Sequence, residues 1–344
     1  MSREASAPPS GPSGGIMVIS LDFELGWGLR GSRGDSDWPA RIRGAREVVP
    51  RLLDLFVSRD VHATWGTVGA LALQDWDELR ANLPKVRSDF KGPDLCPYQY
   101  IRQVEGGDGE KQLHFAPDLV RSIVNAPGQE LATHTFLHYH CTEPGHTTAA
   151  FEADLVASLH VLGRIGPRPQ SIIFPKNQVA EDCLRVCADH GIVAYRGNAP
   201  GWLARPRSSR ERARALRRVL RVLDEVLPLS GCNCHPPASV GNGVPWDVTA
   251  SRLFRPGRVR GETFDRLLVR RITRSMSHAA RRGLVYHLWW HPHNFALDTE
   301  RKLRLLEEVI AALQRLREER GMMSMTMLEA ARATAPAATG AGAE

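Results

Sequence analysis

The sequence predicts a single α/β domain built on a parallel β-sheet. Short β-rich segments alternate along the chain with longer segments of helical periodicity, the pattern of strand–helix–strand units. The 344 residues fall within the range of α/β barrels that form one domain. Hydrophobic residues make up 42% and charged residues 24%, a composition that can bury a sizeable core.

The predicted strands are short runs rich in β-branched and aromatic residues. They comprise residues 16–24, 62–71, 130–136, 171–175, 192–197 and 284–292. Helical periodicity occupies residues 44–58, 150–163, 178–190, 263–281 and 299–318. Because these helices lie between strands along the chain, the strands are expected to run parallel.

The two ends of the chain have compositions that cannot bury a core. Residues 1–15 are rich in Pro, Ser and Gly, and residues 332–344 are low-complexity Ala, Thr, Gly and Pro. We expect both segments to be disordered and the folded domain to occupy residues 16–331.

Cysteine usage and hydropathy indicate a cytoplasmic protein. The six cysteines are too sparse and irregular for a secreted disulfide framework. The sequence shows no apolar signal-peptide core and no apolar run long enough to cross a bilayer.

Residues 204–228 form a basic segment within a chain of net charge +7. Leucines recur in it at helical spacing, which predicts an amphipathic helix. Such a helix either makes peripheral contact with an anionic membrane or packs on the domain with a solvated arginine face, the commoner arrangement. The segment lacks the interleaved aromatics of a single-strand nucleic-acid site, so we expect no nucleic-acid partner.

Polar residues stand where three predicted strands end. Asp22 and Glu24 close the first strand, His134 and His138 a later one, and His291 and His293 the last. In parallel α/β folds the carboxyl ends of the strands converge on one mouth, so these side chains are expected to meet.

The residue types at this mouth indicate a hydrolytic metal centre. His134 and His138 are four positions apart, so one helical turn would place both imidazoles on the same side. Asp22 or Glu24 would supply the third ligand and leave a coordination position open for water. The other carboxylate could then act as a base.

Four segments resemble the polysaccharide deacetylases with the NodB-type fold, also called carbohydrate esterase family 4. LDFELGWG is similar to the first family motif, HTFLH to the His-Ser/Thr-x-x-His motif, and WWHPHN to the last motif. SIIFPKNQ is similar to a Phe-Pro-Arg-Asn-Gln segment in a branch associated with glycan biosynthesis. The resemblance spans roughly residues 16–300.

The resemblance implies a NodB-like distorted (β/α) barrel and a role for each matched residue. Asp22 would be the catalytic base and His291 the catalytic acid. The ligands of a divalent metal ion, expected to be Zn²⁺, would be Glu24, His134 and His138, with Thr135 orienting the histidine loop. The implied enzyme is a metal-dependent deacetylase that removes an N-acetyl group from an amino sugar in a polysaccharide or glycan precursor.

Two positions depart from the family pattern. The first motif is Asp-x-Glu rather than an adjacent Asp pair, so the roles of Asp22 and Glu24 could be exchanged. Lys176 stands where the branch has Arg, and a lysine cannot clamp a carboxylate in bidentate fashion. If that Arg tethers the base, the tether is altered here.

Further residues are expected to bind substrate or support the site. They are Pro175, Lys176, Asn177, Trp27 and Trp290. Tryptophans at positions 27, 65, 289 and 290 could stack on a sugar ring, and they are equally expected as core residues of a barrel. Two other functions stay open: hydrolysis of a non-sugar amide, and binding of a glycan or partner protein without turnover.

Overall fold

A computed structural model describes residues 13–105, 110–199, 224, 231–236, 245–256 and 261–333. Of the segments predicted to be disordered, residues 1–12 and 334–344 lie outside the described residues, whereas 13–15 and 332–333 are described, the last two in a helix. The basic segment 204–228 also lies outside them, apart from Asp224.

The strands form one parallel sheet, which confirms the predicted α/β class. Their order is β6-β5-β4-β3-β2-β1-β8-β7, and β9 pairs with β1. The strands are β1 Ile16–Phe23, β2 Ala63–Thr67, β3 Gln129–Thr133, β4 Ser171–Ile172, β5 Ala194–Tyr195, β6 Trp246–Asp247, β7 Arg252–Leu253, β8 Val285–Trp290 and β9 Met323–Met325. All pairs of neighbouring strands among the described residues are parallel, so their carboxyl ends lie on one side.

The helices surround this sheet. They are α1 Leu25–Gly28, α2 Trp38–Ser58, α3 Trp76–Asn82, α4 Pro97–Val104, α5 Glu110–His114, α6 Pro117–Asn125, α7 Thr148–Leu162, α8 Glu181–Asp189, α9 Glu262–Arg282, α10 Thr299–Arg320 and α11 Met327–Ala333. The five predicted helices are observed as α2, α7, α8, α9 and α10.

Short elements escaped the sequence prediction. Helices α3 to α6 have only five to nine residues each, too few to repeat a helical pattern clearly. Strands β6 and β7 have two residues each, so pairing with neighbours rather than any local pattern defines them. The predicted strand at 62–71 ends at Thr67, and a 3₁₀ turn follows at Gly69–Ala72.

The central strand β1 is buried along its whole length. It pairs with β8 from Ile16 to Leu21 and with β2 from Ser20 to Phe23. A strand between two parallel neighbours and covered on both faces reads as a continuous apolar run, as IMVISLDF largely does. This placement brings the end of β1 beside the ends of β2 and β8.

No helix in the described part of the chain is both long and apolar enough to cross a membrane.

Candidate metal centre

The predicted site residues meet at the carboxyl ends of three strands. Glu24 follows β1, His134 follows β3 and His291 follows β8. The imidazole of His291 lies within 4 Å of the carboxylates of both Asp22 and Glu24. The convergence expected of a parallel sheet is therefore observed.

Glu24, His134 and His138 form a compact cluster of possible metal ligands. The Nε2 atom of His138 lies 3.0 Å from Glu24 Oε2, and the Nε2 atom of His134 lies 3.4 Å from the same oxygen. One ligand atom from each residue falls within 4.8 Å of the others, and all three side chains are buried. A carboxylate with two imidazoles is a common donor set for a catalytic divalent metal.

The hydrogen bonds of His134 leave a lone pair directed at this cluster. Its Nδ1–H donates to the carbonyl of Ile173 at 2.7 Å, since a carbonyl can only accept. In the neutral form that binds metal, the ring then has an unprotonated Nε2, and within the described part of the chain this buried atom has no hydrogen-bond partner. A lone pair facing a carboxylate oxygen fits a cation between them.

The charge states of Glu24 and His138 also suit a bound metal ion. Burial lowers the pKa of His138 to about 3, even though Glu24 opposes the change, so the imidazole is neutral. Burial alone would raise the pKa of Glu24, but the neighbouring histidines outweigh it and hold that pKa well below its usual value. Neutral imidazole and ionised carboxylate are the forms that bind metal.

The loop that carries the two histidines is not the helical turn that the spacing predicted. Thr135 and His138 both have left-handed backbone conformations, with φ of 63° and 57°. The Oγ1 atom of Thr135 accepts the N–H of Tyr139 at 2.7 Å and closes the loop. A compact non-helical loop therefore brings the imidazoles together, and Thr135 lies where it can orient them.

Two buried polar side chains, Asp154 and Arg30, hold this loop. The carboxylate of Asp154, on α7, accepts the N–H groups of Phe136 and Leu137 at 2.6 and 3.2 Å. The guanidinium of Arg30 donates to the carbonyls of Leu137 and His138 at 3.0 and 3.2 Å. Backbone groups that a helix would have paired internally are thus satisfied by side chains.

A bidentate ion pair fixes Asp22. The Nη1 and Nη2 atoms of Arg196, which follows β5, donate to Oδ1 and Oδ2 of Asp22 at 2.5 and 2.8 Å. The Arg196 guanidinium also lies over the indole of Trp289 at 4.2 Å. Burial would raise the pKa of Asp22, but Arg196 outweighs that effect and leaves the pKa below its ordinary value.

Arg196 corrects the expectation that Lys176 alters the tether of the base. Lys176 is exposed and Pro175 is buried in the same short turn. Asn177 supports the clamp instead, because its Oδ1 accepts from Arg196 Nη2 at 2.8 Å. The arginine that holds Asp22 therefore comes from the next strand, in the segment IVAYRG. Its position just after a predicted strand was the available signal.

A hydrogen-bonded chain extends this clamp into the sheet. The Oγ atom of Ser20 accepts from Arg196 at 3.1 Å and donates to Nε2 of His287 at 2.8 Å. The Nδ1–H of His287 donates to the carbonyl of Val248 at 2.9 Å. Burial, followed by the charge of Arg196, lowers the pKa of His287 to about 3. The ring is therefore neutral and serves as an acceptor.

His291 is the more exposed of two neighbouring histidines at the mouth. Its Nε2 atom lies 3.5 Å from Asp22 Oδ2 and 3.7 Å from Glu24 Oε1, with 23% of the side chain exposed. His293 is buried, its ring 4.7 Å from that of His291 and its Nδ1 3.8 Å from Glu24 Oε1. Sequence reasoning did not assign His293 to the site.

His140 is a second residue that sequence reasoning missed. A loop histidine is ordinarily solvated, yet this one is buried, with Nε2 3.1 Å from Nδ1 of His138. It can therefore accept the Nδ1–H of His138 and orient that ring.

Trp27 and Trp290 cannot contact a substrate as they are placed, which corrects their assignment to binding. Both are fully buried. Trp27 packs against Trp76, Tyr100, His114 and Phe115, and Trp290 against Phe56, Phe254 and Phe295. Trp289 is partly exposed, and its ring lies 5.7 Å from that of His291.

Comparisons with known proteins identify the fold. No protein-family model matches the sequence, and no curated protein matches it. Among solved structures, a candidate polysaccharide deacetylase from Mycobacterium smegmatis has a TM-score of 0.56 at 16% identity, over 96% of this chain and 93% of that one. A second candidate polysaccharide deacetylase, from Pseudomonas aeruginosa PAO1, has a TM-score of 0.55 at 13% identity over 95% and 94%.

A structure of PuuE allantoinase is similar to the same degree, with a TM-score of 0.57 at 13% identity over 95% of this chain and 94% of that one. The chain therefore has the NodB-like distorted (β/α) barrel of the polysaccharide deacetylase structures, as the sequence motifs implied. This fold also occurs in a protein described as an allantoinase, so the fold alone does not select a substrate.

Proposed function

We propose that this protein is a metal-dependent hydrolase that removes an N-acetyl group from an amino sugar in a polysaccharide or glycan precursor. The observation that carries the proposal is the convergence of Glu24, His134 and His138 on one position beside the pair formed by Asp22 and His291. A metal-ligand set next to a carboxylate and a partly exposed imidazole provides the metal ion, the base and the acid that amide hydrolysis requires.

Glu24 and the Nε2 atoms of His134 and His138 would hold the metal, expected to be Zn²⁺. When bound there, a divalent cation supplies polarisation of the amide carbonyl and a lowered pKa of water. Arg196 occupies both oxygens of Asp22, whereas Glu24 faces both imidazoles, which supports Glu24 rather than Asp22 as the carboxylate ligand.

Asp22 then acts as the base that accepts the proton of the attacking water. His291 donates a proton to the departing amine, because its Nε2 lies at the mouth of the site and on the Asp22 side. The C–N bond of the amide breaks, and the products are acetate and a free amine. Arg196 keeps Asp22 ionised and fixes its direction throughout.

A sugar substrate is favoured by Trp289, since an aromatic ring beside the catalytic acid can pack on a pyranose. All six cysteines carry free thiols, which supports a site of action in the reducing cytoplasm. The PuuE allantoinase with the same fold makes non-sugar amides the second substrate class to assay.

Metal content and acetate release from N-acetylglucosamine oligomers, measured in parallel, test the proposal. We expect near-stoichiometric metal and acetate release in the wild type, and loss of both in His134→Ala and His138→Ala. His160→Ala removes an exposed histidine of α7 and should change neither.

Two results would contradict the proposal in different ways. Absence of metal binding after reconstitution with zinc or cobalt would remove the hydrolytic mechanism. If the protein binds metal and hydrolyses a cyclic ureide but releases no acetate, the substrate is a non-sugar amide rather than an N-acetylated sugar.

A further inference from the structure

A stripe of basic residues runs along the outer side of α9. Arg270, Arg274, His278 and Arg281 follow one another at spacings of four, four and three residues, which places them on one side of a helix. Buried residues of the same helix, among them Leu268, Ile272 and Met276, belong to the hydrophobic core and occupy its other side. The stripe is therefore presented away from the sheet.

This stripe lines a groove that contains none of the candidate metal ligands. The groove encloses about 580 Å³ between α9 and the segment at Gly231 and Cys232. Its basic lining residues are Arg270, Arg271, Arg274, His278 and Arg281, and none of the described residues that line it is a carboxylate. A cavity of several hundred Å³ has the size of a small-molecule site.

Positive charge in the groove exceeds the negative charge available to it. Within the described ranges, Arg270, Arg274 and Arg281 have no carboxylate within salt-bridge distance, whereas Arg266 and Arg271 of the same helix do. A stripe of exposed charges is either a solvated helix face or an anion-binding site. A buried cationic group at the same place favours the anion-binding site.

Arg271 is that buried group. Its side chain is 5% exposed, lines the groove, and shares the carboxylate of Asp224 with the equally buried Arg252. Among the residues that the structure describes, the Nε–H of Arg271 has no hydrogen-bond partner, and neither do Nε and Nη2 of Arg252. Burial and the charge of Arg252 lower the pKa of Arg271 to about 10. Two buried guanidiniums with spare donors beside one carboxylate are unfavourable unless an anion binds nearby.

We propose that this groove binds a phosphorylated ligand, with its phosphate or diphosphate group held by the arginines of α9. Guanidinium groups match phosphate oxygens in bidentate geometry, and several cations around one cavity fit a ligand with more than one negative charge. Leu267, which is 39% exposed at the same groove, offers an apolar contact for the rest of the ligand. The site is separate from the metal centre and does not depend on the proposed hydrolase activity.

Phosphate of this kind could be presented by a soluble phosphate ester or by a lipid headgroup. Titration calorimetry with inorganic pyrophosphate measures binding of a soluble phosphate compound. Cosedimentation with phosphatidylcholine vesicles, with and without phosphatidylglycerol, measures binding to a phosphate-bearing lipid headgroup.

The test compares Arg270→Gln/Arg274→Gln with Arg266→Gln/Arg282→Gln. Both double variants remove two charges from exposed positions of α9, but only the first pair lines the groove. We expect wild type and the second variant to bind equally, and the groove variant to bind at least about tenfold more weakly, as for lost charge-assisted hydrogen bonds. Thermal melting of each variant verifies that it is folded.

Groove-dependent binding of pyrophosphate assigns a soluble phosphorylated ligand, and groove-dependent binding of anionic vesicles alone assigns a headgroup. Equal weakening in both double variants would overturn the proposal, because net charge rather than the groove would then govern binding. Absence of binding to both probes in the wild type would overturn it as well.

Discussion

Arg196 and Asp22 form a buried bidentate ion pair at the edge of the candidate metal centre, with Nη–O distances of 2.5 and 2.8 Å. The two residues lie 174 positions apart in the chain, Asp22 on β1 and Arg196 directly after β5. The pair orients one carboxylate of the site through an arginine that lies outside the four sequence motifs.

Replacing Arg196 by Lys tests this clamp. A single ammonium cannot hold both oxygens of Asp22, so the carboxylate should lose its fixed direction. We expect kcat to fall by about 10²-fold, the typical cost of misplacing a catalytic group, while metal content stays at the wild-type level.

Arg301→Lys is the matched control for that change. Arg301 makes a similar bidentate pair with Asp265, which joins the first turns of α10 and α9 and involves none of the candidate metal ligands. Equal losses of kcat in both variants, or a loss of metal in Arg196→Lys, would refute the positioning role.

Gly28→Ala tests the placement of Glu24. A Cβ built on Gly28 would lie 2.0 to 2.4 Å from the carboxylate atoms of Glu24, so that side chain must leave its position. We expect affinity for zinc to fall at least about tenfold, measured by competition with a chelating dye.

Gly34→Ala controls for the effect of alanine itself, because a Cβ at Gly34 meets no atom within 4 Å. Unchanged zinc affinity in Gly28→Ala would show that Glu24 is not a ligand.

Asp154→Ala tests the support of the histidine loop. The change orphans two buried N–H groups, of Phe136 and Leu137, and should lower the free energy of unfolding by about 2–4 kcal/mol. Zinc affinity should fall with it, because both histidines lose a fixed backbone. Denaturant unfolding with and without zinc measures both effects.

Glu152→Ala is the control on the same helix, since Glu152 is 51% exposed and pairs only at the surface with His190. Its removal should cost less than about 1 kcal/mol. Similar costs for the two variants would contradict the role given to Asp154.

His287 predicts a specific acid sensitivity. Its folded-state pKa is lowered from 6.5 to about 3, so the unfolded chain binds a proton at this residue before the folded protein does. The stabilisation is fully present above pH 6.5 and is lost as pH falls toward 3, by about 1.4 kcal/mol per pH unit.

His287→Gln should remove that component. We expect the difference in unfolding free energy between pH 7 and pH 4.5, measured in chelator, to be smaller in the variant than in the wild type. Equal differences would mean that His287 is not held neutral by its contacts with Ser20 and Val248.

The sequence by itself determined the class of the sheet and the location of the site. Alternation of strand and helix predicts parallel strands, and parallel strands bring their carboxyl ends together, so Asp22, Glu24, His134 and His291 were expected to meet. The local sequence pattern is enough for this conclusion, because the conclusion requires only that the end of each strand be located.

Tertiary structure alone decided which groups support the site. Arg196 rather than Lys176 lies beside Asp22, because the residue that follows β5 reaches Asp22 across the sheet. Trp27 and Trp290 are buried, because helices and loops distant in sequence cover them. Hydrogen-bond partners and burial depend on contacts between remote segments, and no periodicity or spacing in the chain records those contacts.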